Sequence, residues 1–139
     1  MFDPNIRLIL FFLKGYPVTT QKKETFLKEY TPPAYLVDRL DLRVELDPQA
    51  TRVRATLRCR PNTNTPVKQP LVLNGERLSL VDLRIDGRTL AAPEFRIDGD
   101  VLTVPQAPDR FELATVSRIA PAANTSLSGL YVSNDNFFT

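Results

Sequence analysis

The chain has 139 residues, with 18 basic and 16 acidic side chains and a net charge of +2. That length fits one domain, and so even a charge balance gives no footing for nucleic acid. There is no histidine and only one cysteine, Cys59, which excludes an internal disulfide, removes the commonest general base and metal ligand, and leaves a zinc site to carboxylates almost alone.

The first segment, Met1 to Tyr30, differs in pattern from the rest of the chain. It holds the apolar run Leu8-Ile9-Leu10-Phe11-Phe12-Leu13, then Gly15-Tyr16-Pro17, then a charged stretch. No amphipathic period runs through it. The apolar run is too short for a membrane span of ~20 residues. Asp3 precedes it and no small-residue cleavage site comes after it, so it reads poorly as a signal peptide. Residues 1–26 are expected to be an N-terminal extension, loosely attached or a mis-called start. The lone cysteine permits a reducing compartment. The cytoplasm, with no membrane partner, is the expected location.

From Leu40 onward the pattern sharpens. Leu40, Leu42, Val44 and Leu46 alternate with Asp41, Arg43 and Glu45, which predicts a strand with one buried face. After the turn residues Asp47-Pro48-Gln49-Ala50, Val53, Ala55, Leu57 and Cys59 alternate with Arg52, Arg54, Arg58 and Arg60. The two strands are predicted to form an antiparallel hairpin. Its register sets Val44 opposite Val53 and Glu45 opposite Arg52, and leaves Arg43 facing Arg54, with Asp41 diagonally within reach of Arg54 and Arg58.

A polar, proline-containing loop spans Pro61 to Pro70. Leu71-Val72-Leu73 is a short strand ended by Asn74-Gly75. Leu78 to Ile85 is a strand whose alternation slips between Leu80 and Val81, the mark of a bulge. Asp86-Gly87 and Asp98-Gly99 each sit between apolar segments and predict tight hairpin turns. Phe95 and Ile97 lead into the second turn, and Val101, Leu102 and Val104 lead out. Phe111 to Ile119 is a further strand. Prolines recur too often after Tyr30 for a helix. The fold class is therefore all-β, an antiparallel sandwich-like domain built from hairpins.

Candidate chemistry is sparse. The row Arg52, Arg54, Arg58, Arg60 has no interleaved aromatics and faces Asp41 and Glu45, so it reads as the solvated face of a sheet rather than a nucleic-acid site. Asp98-Gly99-Asp100 lacks the spacing of a calcium loop and reads as a turn. Asn124-Thr125-Ser126 matches the glycosylation sequon, which matters only in a secreted protein. Ser126 and Ser128 lie outside any nucleophile elbow and have no histidine to activate them. Cys59 is in phase with the buried face of its strand and reads as a structural thiol. No catalytic, cofactor-binding or metal-binding residue is assigned to this chain.

Three stretches nevertheless carry a resemblance. They are Lys28-Glu29-Tyr30-Thr31-Pro32-Pro33-Ala34-Tyr35 with the hairpin to Arg60, Leu71-Val72-Leu73-Asn74-Gly75-Glu76 with Leu78 and Leu80, and Ile119-Ala120-Pro121-Ala122-Ala123-Asn124-Thr125 with Leu127, Gly129, Leu130 and Tyr131. From about Leu27 to Thr139 the chain resembles the start of the bacterial aminopeptidase N group in the M1 family of zinc aminopeptidases. The resemblance implies a non-catalytic N-terminal β domain, residues 27–139, that packs on a thermolysin-like catalytic domain and helps wall the substrate chamber. It implies zinc and peptide substrates for the full-length enzyme only. The family's Gly-Ala-Met-Glu-Asn and His-Glu-x-x-His motifs are not in this sequence. Its Gln-, Cys- and Glu-containing segment, which helps bind a substrate's amino terminus, is expected just beyond Thr139. Two readings are open. One is a fragment of a zinc aminopeptidase, inactive alone, whose partner is the catalytic domain. The other is a free-standing β-sandwich module that binds a peptide or protein.

Overall fold

A computed structural model describes residues 32–64, 69–126 and 128–139. The expectations for the 1–26 extension, the Leu8–Leu13 run and Lys28 to Thr31 lie outside these residues. In chain order the strands are β1 (Tyr35–Glu45), β2 (Thr51–Pro61), β3 (Leu71–Asn74), β4 (Ser79–Ile85), β5 (Arg88–Thr89), β6 (Arg96–Asp98), β7 (Val101–Val104), β8 (Phe111–Ile119), β9 (Tyr131–Ser133) and β10 (Asn136–Phe138). A single 3-10 turn, Pro121–Ala123, is the one helical element among the described residues.

All pairings are antiparallel. A five-stranded sheet has the order β1-β2-β8-β4-β5, a three-stranded sheet the order β3-β7-β6, and β9 pairs with β10. The β1–β2 register is the predicted one: Val44 opposes Val53, Glu45 opposes Arg52 and Arg43 opposes Arg54. The expected bulge in β4 is present as a register shift between Leu80 and Asp82.

Turn chemistry accounts for the hairpins. Between the paired Ile85 and Arg88, Asp86 and Gly87 both take positive φ, 51° and 79°. This is the primed turn whose twist suits paired strands. Between Asp98 and Val101 only Gly99, the first central residue, is left-handed, at 56°. The β9–β10 turn uses Asn134 and Asp135, at 47° and 60°. It has no glycine, and the sequence reading does not predict this hairpin. Asn and Asp tolerate the left-handed region better than other side chains, which is what permits it.

One core joins the two larger sheets. Ala55, Leu57 and Cys59 of β2, Phe111 and Leu113 of β8, and Leu83 and Ile85 of β4 pack with Leu71 and Leu73 of β3 and Leu102 and Val104 of β7. A smaller cluster unites Val53, Ile119 and Leu130, with Leu78 and Phe137 against it.

The predicted burial of β1 is corrected. Leu40, Leu42, Val44 and Leu46 are 53%, 53%, 38% and 56% exposed. Alternation identifies an apolar face but says nothing of whether a second layer lies over it. β2 has that layer, so Val53 and Leu57 are fully buried. β1, at the sheet's edge, does not have it among the described residues.

Candidate functional site

The run after β8 builds a closed loop around one side chain. Pro121 starts the 3-10 turn, where its fixed φ suits the first helical position. Ala122 N–H donates to the Pro48 carbonyl at 2.8 Å, tying the turn to the β1–β2 connection. Asn124 comes next after the turn and is buried. Its Nδ2 donates to the carbonyls of Ser128 at 3.1 Å and Leu130 at 2.9 Å. Its Oδ1 accepts the Ser126 N–H at 3.1 Å and the Ser126 hydroxyl at 2.7 Å. Both donors and both lone pairs of the amide are thus used, which fixes the loop in one shape.

The loop delivers Leu130 into the cluster with Val53 and Ile119. It then launches β9 and β10. Phe137 packs inward on that cluster, while Phe138 is 43% exposed and stacks on Tyr131 with ring centroids 5.4 Å apart. The result is a small aromatic platform at the tip of a clamped loop. Three residues named in the sequence acquire structural roles here. The Asn124 amide of the sequon is committed to two carbonyls and so has a structural role. The Ser126 hydroxyl is bound to Asn124, and Ser128 contributes its backbone carbonyl to the clamp.

The arginine row lies on the outer face of β2, and Arg54, Arg58 and Arg60 have acidic partners. Arg54 lies 3.5 Å from Glu45, Arg58 3.7 Å from Glu112, and Arg60 2.7 Å from Asp38. β2 is an interior strand, flanked by β1 and β8, so its arginines do not guard an edge. Arg43 and Arg54 do face each other. Glu45 relieves them, 3.5 Å from each. Arg39 holds Asp41 at 2.8 Å, while of the two diagonal arginines the Arg58 charge still acts on the Asp41 carboxyl. The Arg39 hydrogen bond keeps the Asp41 carboxyl below its ordinary value. Glu94 is likewise lowered, chiefly by the Ala91 N–H and then by Arg88.

Cys59 is buried and free. Burial pushes its thiol up to about 11, with nearby Asp38 adding to the shift. A thiol held protonated is a poor nucleophile and a poor zinc ligand. Several carboxylates are engaged by arginines, and no group of three or more His, Cys, Asp or Glu is placed to hold a metal among the described residues. With no histidine in the sequence, the donors present do not fit a zinc ion.

Aminopeptidase N from Caulobacter vibrioides is 44% identical over 113 residues, which are 81% of this chain and 13% of that protein. Aminopeptidase N from Escherichia coli is 34% identical over 122 residues, 88% of this chain and 14% of that protein. This chain belongs to the aminopeptidase N family. It spans only 13–14% of the length of these relatives. No protein-family profile matches it. Among solved structures, the aminopeptidase A of Legionella pneumophila, in complex with aspartic acid, superposes with a TM-score of 0.70 at 30% identity. That match covers 78% of this chain and 13% of the Legionella chain. Leukotriene A4 hydrolase of Saccharomyces cerevisiae gives 0.55 at 18% identity, over 78% of this chain and 19% of that one, and shares the fold. Helices long and apolar enough to cross a membrane are absent among the described residues.

Proposed function

We propose that this chain is a non-catalytic N-terminal β domain of a zinc-dependent aminopeptidase, inactive by itself. It serves as a scaffold, and the metal and the hydrolytic residues belong to a catalytic domain outside these 139 residues. The observation that carries this reading is the Asn124 loop. The stretch from Ile119 to Tyr131 holds the residues with which the chain resembles the family, and in the structure it forms a clamp with every polar valence of one side chain satisfied. Such a clamp suits a fixed support for whatever meets the Tyr131–Phe138 platform. That partner is proposed to be the catalytic domain, with peptides as the substrates of the whole enzyme and the cytoplasm as its place of work.

The test is complementation. The Caulobacter aminopeptidase N, prepared without the segment that matches this chain, is mixed with the chain and assayed on an aminoacyl chromophore. The reading expects activity to rise on mixing, and to fall when Tyr131 and Phe138 are both changed to alanine. A mixture in which the two proteins fail to associate would overturn it.

A further inference from the structure

β1 is an edge strand with a self-complementary pattern. All of its 11 residues but Asp38, where the register shifts, pair with β2 on one side, and the other side carries no strand among the described residues. One face presents Leu40, Leu42 and Val44, all exposed. The opposite face presents Arg39, Asp41, Arg43 and Glu45, in strictly alternating sign. On β2, Arg39 opposes Arg58 and Arg43 opposes Arg54, so the acidic partners of the two β1 arginines are Asp41 and Glu45 of β1 itself. A long, apolar, unpaired edge is a template for another strand, and the charges say which strand fits.

We propose that β1 pairs antiparallel with the β1 of a second copy of this chain, about a two-fold axis through Leu42. In this register Leu42 meets Leu42 of the second copy, and Leu40 meets its Val44. Asp41 meets Arg43 of the second copy, and Arg39 meets its Glu45. Every charged pair is of opposite sign. Because side chains alternate with period two, the apolar faces stay together only in registers that move by even steps. Moving the axis to Arg43 sets that arginine against itself and Asp41 against Glu45. Moving it to Asp41 sets that aspartate against itself and Arg39 against Arg43. Both neighbouring registers place like charges directly opposite, which destabilises a sheet. The pairing joins two five-stranded sheets into one and makes the apolar faces of the two β1 strands continuous. The interface is isologous, as a closed dimer requires.

The pattern allows a test that a general stickiness would fail. Asp41→Arg gives one copy with two arginines at 41 and 43, and Arg43→Asp gives another with two aspartates. Both positions are exposed, so both variants are expected to fold. In sedimentation velocity the unmodified full-length chain is expected to run as a dimer, each variant alone as a monomer, and an equimolar mixture as a dimer again. A second readout fixes the register. In a Cys59→Ala background, Leu42→Cys is expected to cross-link to itself under oxidised glutathione. Leu40→Cys cross-links to Val44→Cys but not to itself. A monomeric parent chain, a dimer indifferent to either charge reversal, or a mixture that stays monomeric would overturn the proposal. So would a parent that stays monomeric yet takes a catalytic domain on β1.

Discussion

The Asn124 side chain reaches across six positions to the Leu130 carbonyl, at 2.9 Å, and in doing so sets the path of everything after β8. Leu130 is only 4% exposed and rests on Val53 and Ile119. The polar clamp and the apolar anchor are consecutive parts of one device. Lose the first, and the second is delivered less precisely in register with the core.

Asn124→Ala is therefore expected to cost about 1–3 kcal/mol, since it strands buried carbonyls and amides that the side chain now serves. Asn124→Asp is expected to be at least as damaging. Its carboxylate retains an acceptor for Ser126 but turns a second acceptor toward the Ser128 and Leu130 carbonyls. Urea unfolding of the two variants, compared at constant slope, checks both outcomes.

The thiol of Cys59 supplies a pH prediction. Its folded-state value of about 11 stands above its ordinary value of 9.0. Between those values the unfolded chain releases the proton while the folded chain keeps it, so stability falls as pH rises through that window. The loss approaches on the order of 2 kcal/mol at the upper end. Tyrosines and lysines titrate nearby, so the measurement is a difference. Thermal unfolding of the parent and of Cys59→Ala at pH 8 and pH 11 is expected to show the parent losing more.

Equal-sized apolar side chains on adjacent strands are expected to differ sharply in value. Leu57 is fully buried and Leu42 is 53% exposed. Leu57→Ala is expected to cost about 2–5 kcal/mol, the range for a core cavity. Leu42→Ala is expected to stay within about 0.5 kcal/mol, as surface changes do, at concentrations too low for chains to associate. Chemical denaturation at low micromolar concentration tests the pair.

Turn strain offers a cleaner test of backbone geometry. Gly87 has φ of 79°, and an added Cβ would meet nothing within 4 Å. Gly87→Ala is thus expected to destabilise through conformation alone, by about 1 kcal/mol. Pairing Ile85 with Arg88 should survive, visible as retained hydrogen-exchange protection in β4.

Much of this architecture is legible in the residues alone. The β1–β2 register comes from matching Val44 with Val53, the β4 bulge from the slip after Leu80, and two hairpins from their Asp-Gly pairs. The hidden part is non-local. Nothing in the chain announces that β8 lies between β2 and β4, since that contact is decided by packing and not by neighbouring residues. For the same reason the apolar face of β1 reads as buried. The β9–β10 hairpin escapes because three-residue strands give too short an alternation, and Asn134-Asp135 lacks the glycine that flags such a turn. At the site, the sequence singles out Pro121 to Tyr131 but not why Asn124 stands there. Its role exists only once Ser128 and Leu130 come round to meet its amide.

Hydrolysis by the isolated chain is the deciding measurement. The purified chain, expressed in a host free of aminopeptidases and supplied with zinc, is assayed for release of a chromophore from aminoacyl substrates. No release above background and no zinc retained after gel filtration are expected. Release that co-purifies with the chain and stops on adding a chelator would contradict a non-catalytic role.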